Sequence, residues 1–401
     1  MATADQADGA LAGGVTSRAG AAVRTDAPRT ALVHDWLTGM RGGERCLEVF
    51  AELFPDAPLY TLLHVPGSVT PVIERRRVVT SFVQRLPGAA SSYRRYLPLF
   101  PAAALRFDLS GHDLVLSLSH CVAKGVRVPP GALHISYCFT PMRYVWDLYG
   151  DYVSGAGLAT RLAAPAIAAG LRLWDRRTAG VHHFVAISHH IAARIRRVYG
   201  RHADVIHPPV DVARFEPAAD AEDFYLVVSA LAPYKRVDLA VAVANRLRRR
   251  LVVVGTGPEE RRLRTLAGPT VEFLGWRHDD EVARLYARCR AVLFTAVEDY
   301  GIVPLEAAAA GRPTIALGRG GVLETMVGLD TPEAAAEPPT AMFFSAQTED
   351  ALADAIVRFE RVESCFEPKA LRARAERFDR PVFQARLADY IARRWAEFRP
   401  C

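Results

Sequence analysis

A chain of 401 residues, half of them hydrophobic, exceeds one ordinary domain and suffices for two cores. Its net charge of +6 comes without a helix-turn-helix, a zinc knuckle or a stacked aromatic motif, which argues against nucleic acid as a partner. No apolar run approaches the roughly 18 residues of a membrane-spanning helix. The six cysteines, Cys46, Cys121, Cys138, Cys289, Cys365 and Cys401, form no CxxC pair and have no histidine at metal spacing, as expected of reduced thiols in a cytoplasmic enzyme.

Residues 1–28 are rich in Ala, Gly and Asp and lack a signal-peptide core, so they read as a disordered leader or as a start assigned too far upstream. From Thr30 onward strand-like and helix-like segments alternate, the mark of an α/β chain with parallel sheets. The pattern divides into a first α/β domain over 29–206, a linker over 207–223 in which Pro208 and Pro209 break secondary structure, a second domain over 224–380 and a terminal helix over 381–401.

In the first domain the opening strand, TALVHDW, leads through Gly39, Gly42 and Gly43 into a helix with apolar positions at Leu47, Phe50 and Leu53. A glycine turn between a first strand and its helix lets backbone amides approach a phosphate or sugar, although the spacing is not GxGxxG. Arg75 to Arg77 and the stretch SSYRRYLPLFPAAALRF put arginines beside apolar and aromatic residues. Such a surface suits either an anionic membrane or an ordinary basic face with a packed helix. His120 ends the strand LVLSLSHC at a carboxyl edge, where open α/β sheets bind ligands. The run HISYCFTPMRYVWDLYGDY, dense in aromatics, contains Arg143 and Tyr144 and reads equally as an acceptor pocket and as core.

The second domain opens with FYLVVSALAPYKRVDLAVAVANRL, a strand ending at Val228, a turn starting at Ser229, and Lys235 and Arg236 before a helix. Cations there can neutralise a departing pyrophosphate. Gly255 and Gly257 follow the next strand, and VEFLGWRHDDEVARLYARC reads as strand, turn and helix. In AVLFTAVEDYGIVPLEAAAAGRPTIAL a buried strand is followed by Glu298, and Pro304 occupies the first turn of a helix ended by Gly311. The amides of Gly301, Ile302 and Val303 are then unpaired donors suited to a phosphate, and Glu306 projects from the start of the helix towards the crevice. Gly320 and Gly321 precede another short helix, and FDRPVFQARLADYIARRWAEF has apolar residues at helical spacing.

The string from Ala291 to Leu317 resembles the signature of the family 4 retaining glycosyltransferases, which have the GT-B fold of two Rossmann-like domains facing a cleft. The resemblance implies that Glu298 lies against the donor sugar, that Glu306 binds the ribose, and that Lys235 binds phosphate. It also places His120 against the reacting sugar and Gly42 and Gly43 in a loop closing over donor and acceptor. GG-x-x-E follows beside the donor, the VEFLGWRHDDEV turn lies near the base, and the terminal helix crosses back to the first domain. Many members carry an arginine where Ala230 stands, leaving Arg236 as the neighbouring cation.

HDWLTGMRGGER, PMRYVWD and SALAPYKRVDLA look most like a mannosyltransferase branch of polysaccharide and O-antigen assembly. In that branch the position of Phe139 is often histidine, so no imidazole role is expected there. The resemblance implies GDP-mannose as donor and a polyprenyl-diphosphate-linked glycan as acceptor, and the basic surface above would allow peripheral contact at the inner face of the cytoplasmic membrane. Asp-x-Asp is absent from the chain, so transfer without a metal or other cofactor is expected. The route to retention, front-face or through a covalent intermediate, stays open, since no second carboxylate stands out as a nucleophile. A UDP-sugar donor, a sugar-nucleotide 2-epimerase and a non-catalytic nucleotide-sugar-binding protein are the alternatives.

Overall fold

The computed structural model describes residues 27–146, 158–218 and 220–398. Most of the expected leader, the end of the aromatic run from residue 147 and Cys401 lie outside the described residues.

The first sheet contains β1 (Thr30–His34), β2 (Leu59–Thr61), β3 (Val78–Thr80), β4 (Leu114–Ser119), β5 (Leu133–Cys138), β6 (His183–Ala186) and β7 (Ala203–Val205), in spatial order 3-2-1-4-5-6-7. The second contains β8 (Tyr225–Val228), β9 (Leu251–Val254), β10 (Val271–Gly275), β11 (Ala291–Phe294), β12 (Thr314–Leu317) and β13 (Ala341–Phe344), in order 10-9-8-11-12-13. Every strand pairing is parallel. Strands such as β4 and β9 are buried along their whole length because helices cover both faces, which is why they read as continuous apolar runs. The order reverses beside the first strand of each sheet, between β1 and β4 and between β8 and β11, so the chain leaves these carboxyl ends in opposite directions and opens a crevice.

Six helices position the site: α1 (Gly42–Leu53), α2 (His189–Tyr199), α3 (Val237–Leu247), α4 (Asp279–Arg288), α5 (Ile302–Ala309) and α6 (Arg380–Phe398). Gly42 and Gly43, expected just ahead of a helix, are instead the first turn of α1, with the Glu44 carboxylate accepting the Arg41 amide at 3.1 Å. Arg76, grouped by sequence with a basic surface, turns inward. It donates to the carbonyl of Ala51 in the last turn of α1, to that of the C-cap Phe54 at 2.6 Å and to that of Ala57 in the following loop at 3.2 Å. Only Arg75 and Arg77 of that run are exposed.

The chain crosses between the sheets twice, and the crossings run side by side, with the Val210 amide donating to the Phe378 carbonyl at 2.9 Å. Beyond the second crossing α6 lies on the first domain. Arg380 reaches Glu48 and Glu52 on α1 at 3.1 and 2.7 Å, the Tyr390 hydroxyl donates to Asp204 at 2.8 Å, and Phe383 packs its ring on Tyr137. Burial of Phe383, Leu387, Tyr390 and Ile391 on one face anchors the helix there.

Candidate active site in the cleft between the sheets

The carboxyl ends of β1, β4, β8 and β11 converge on a cavity of about 490 Å³. Its wall contains Gly42, Gly43, His120, Arg143, Tyr144, Ser229, Lys235, Glu298, Gly301, Ile302 and Val303, all singled out from sequence. Arg236 and Glu306 are outside it.

On the second-domain side, Ser229 follows β8 and is packed under the exit of β9. A Cβ at Gly255, where φ is +127°, would lie 1.9 Å from the Ser229 carbonyl oxygen, so that turn admits only glycine. Lys235 ends a single 3₁₀ turn (Pro233–Lys235) whose last carbonyl accepts the Thr295 hydroxyl at 2.9 Å, which ties it to the end of β11. Its ammonium is ion-paired with Glu298. The Glu298 backbone is held by Gly320 and Gly321, since the Gly321 amide donates to the Glu298 carbonyl at 2.9 Å and a Cβ at Gly320 would lie 2.4 Å from that oxygen. Helix α5 starts from Gly301 at φ +87° with no capping side chain. The first turn of α5 thus brings its amides and the positive end of its dipole to the cavity wall.

Arg236 does not stand in for the cation missing at Ala230. It adopts φ +52° and its guanidinium turns away to Asp238 at 3.1 Å. The second cation at this end of the cavity comes from the other domain. Arg143 lies over the Tyr234 ring at 5.9 Å from its centre and is ion-paired with Asp299. Burial disfavours its charge, but the carboxylates of Asp299 and Glu298 outweigh burial and raise its pKa above the usual arginine range.

On the first-domain side the organising residue is Asp35, fully buried just beyond β1. Its carboxylate accepts the amides of His120, Cys121, Val122 and Ala123 at 2.7, 2.9, 2.7 and 2.8 Å, and also faces His120 Nδ1 at 3.1 Å. Nδ1 is thereby engaged, and Nε2 is the nitrogen left for the cavity. The His120 ring packs edge-on against Trp36 at 4.3 Å between centres. Burial lowers the imidazole below its ordinary pKa although Asp35 pulls the other way, which favours the neutral ring. Nearby, His34 Nε2 faces Glu44 at 3.4 Å. Burial opposes ionisation of Glu44, but the His34 hydrogen bond prevails and lowers its pKa. Asp35 escapes a sequence reading because its partners lie far along the chain; the only local signal is its place in HDW at the end of the first strand.

Glu306, expected to face the crevice, stands one helical turn, about 6 Å, deeper along α5 than Ile302. It accepts the hydroxyl of fully buried Tyr286 at 2.9 Å. Burial raises its pKa above the usual carboxylate value. Beside it Asp279 binds Arg45 of α1 at 2.5 Å and Arg214 at 3.1 Å.

Residues 222–360 match the family described as glycosyl transferases group 1. Over 119 residues the chain is 34% identical to O-antigen chain mannosyltransferase C of Escherichia coli, covering 28% of this chain and 32% of that one. Over 124 residues it is 36% identical to a GDP-mannose-dependent alpha-mannosyltransferase of Mycobacterium tuberculosis, with the same two coverages, 28% and 32%. The chain thus spans about a third of the length of these curated relatives. Sucrose-phosphate synthase from Thermosynechococcus elongatus superposes with a TM-score of 0.68 at 18% identity, over 92% of this chain and 100% of that one. The fold is GT-B, two Rossmann-like domains whose parallel sheets face a shared cleft. Residues 222–360 are thus similar to the group 1 glycosyl transferases, within a chain whose overall fold is GT-B.

Proposed function

We propose that this chain moves a hexose, mannose from GDP-mannose, to a lipid-linked glycan acceptor with retention of configuration and without a metal. The observation that carries the reading is the convergence of Lys235, Glu298 and the first turn of α5 on one cavity, with His120 on the opposite wall. In transfer the bond from the anomeric carbon to the diphosphate breaks through an oxocarbenium-like state. Lys235 and the α5 amides receive the diphosphate charge, Glu298 holds the sugar hydroxyls, and neutral His120 presents Nε2 to the reacting sugar. Two domains closing on the cleft exclude water. Front-face attack, in which the departing diphosphate takes the acceptor proton, needs no further carboxylate. Glu44 and Asp299 in the wall are already engaged by His34 and by arginines.

The partial matches to mannosyltransferases, one of them GDP-mannose-dependent, support mannose as the sugar. A lipid-linked acceptor, and work at the inner membrane face in cell-surface polysaccharide assembly, fit a helical stretch beside the cavity mouth. There Leu99 and Leu105 are 41% and 46% exposed among Arg94, Arg95 and Arg106, and Arg94 is part of the cavity wall. No helix among the described residues is long and apolar enough to cross a membrane.

Thermal shift with a panel of nucleotide sugars, without added metal, tests the reading. Stabilisation by GDP-mannose that is lost in Lys235→Ala supports it. Selective stabilisation by a UDP-sugar keeps the transferase and overturns the mannose assignment. Turnover of the nucleotide sugar without any acceptor favours an epimerase, and no response to any nucleotide removes the donor site.

A further inference from the structure

Asp299 follows Glu298 directly and belongs to the second domain, yet its partners come from the first. Its carboxylate is ion-paired with Arg143 on one oxygen and with Arg194 of α2 on the other at 3.0 Å. Its carbonyl accepts the hydroxyl of Ser188, the N-cap of α2, at 2.6 Å. The side chains of Asp299 and Arg194 are each only 13% exposed, so the pair is largely shielded from solvent and salt. Arg194 is braced in turn by the Thr140 hydroxyl at 3.0 Å. Arg143 also lies over Tyr234, the neighbour of Lys235, so one guanidinium touches the segments that carry both the cation and the carboxylate of the donor site. A second contact runs parallel to the first. Glu324 of the second domain accepts the amides of His189 and His190, the first turn of α2, at 2.7 and 2.8 Å.

We propose that Asp299 is a positioning residue through which closure of the cleft sets Glu298 against the sugar; this rests on the function proposed above. With the cleft closed, the two arginines hold the Asp299 carboxylate and Ser188 its carbonyl from the first-domain side, while Gly321 holds the Glu298 carbonyl from the other. An open cleft leaves only the second-domain contacts. The second domain by itself binds the diphosphate, and tight seating of the sugar requires the clasp, so binding of the sugar and closure are coupled.

The test uses the full chain and the variants Asp299→Asn, Asp299→Glu and Arg194→Gln, the last giving the same reading from the opposite wall if Asp299→Asn fails to fold. Small-angle scattering without nucleotide is expected to show Asp299→Asn and Arg194→Gln more extended than wild type. Titration is expected to leave GDP affinity unchanged while the affinity gained from the mannosyl group drops about tenfold, with Asp299→Glu recovering part of it. In turnover KM for the nucleotide sugar rises with that lost affinity, and kcat falls as well because Glu298 is no longer set against the sugar. Equal scattering profiles and an unchanged preference for GDP-mannose over GDP overturn the proposal. A wild type that responds to no nucleotide sugar sinks the assigned function instead, and the scattering comparison still decides whether Asp299 holds the domains together.

Discussion

Lys235 and Glu298 are ion-paired across the β8/β11 switch point, so the cation and the carboxylate at the end of the second sheet neutralise each other. A diphosphate arriving there competes with Glu298 for the ammonium, and the freed carboxylate becomes available to sugar hydroxyls. Binding and exposure of Glu298 are thereby a single exchange. Glu298→Gln keeps the shape and removes the charge. Transfer is expected to fall at least about 100-fold while diphosphate binding is retained or improved, because Lys235 is released. Release of nucleoside diphosphate, followed alongside binding by titration, checks this; turnover within about tenfold of wild type counts against the assigned role.

Asp35 accepts the four backbone amides of residues 120–123 and so holds that segment. Asp35→Asn presents an amide to some of those donors and leaves buried N–H groups unpaired. A loss of about 3 kcal/mol in urea denaturation is expected, with a larger fall in turnover than in donor binding because His120 loses its anchor.

Acid sensitivity carries a specific signature. Burial lowers His134 to a pKa of about 3 in the folded chain, where its Nε2 pairs with the Ser117 hydroxyl at 2.9 Å. The unfolded chain binds that proton near pH 6.5, so between about pH 6.5 and 3 the unfolded state holds more protons and stability falls as pH falls. The contribution is complete above about pH 6.5. Glu306, whose pKa is raised, opposes this slope just above the ordinary glutamate value, while His120 adds to it. Replacement of His134 by Gln is expected to flatten the acid limb by up to about 1.4 kcal/mol per pH unit, measured by denaturation at several pH values between 4.5 and 6.5.

Gly255→Ala puts a methyl group against the Ser229 carbonyl at a φ that side chains rarely adopt. The β8 turn cannot move without displacing Lys235, so a loss above about 3 kcal/mol is expected, together with loss of nucleotide binding. Melting and titration of this single variant check it, and a near-wild-type donor site would show that the two turns are not mechanically linked.

Local features could be read directly. Glycine turns after β1 and β9, the apolar strands, Pro304 in the first turn of α5 and the periodicity of α6 depend on backbone angles and side-chain spacing within a few residues. They place Lys235, Glu298 and His120 each at the end of its own strand, and the structure brings the three to one cavity. The same reading cannot separate Glu306 from the cavity wall, because one helical turn of depth has no sequence signature. Nor can it tell Arg76, which caps α1, from its exposed neighbours Arg75 and Arg77.

Packing decided the rest. Which strand ends become neighbours follows from the reversal of order in each sheet, and only that reversal brings Asp35 to amides 85 to 88 residues away. Asp299 meets Arg194 and Arg143, 105 and 156 residues from it, because the two sheets face each other and α6 returns to the first. Short-range order is written in local torsional preference and burial pattern. The partners of a buried carboxylate are chosen by how whole layers pack, and those contacts exist only in the folded chain.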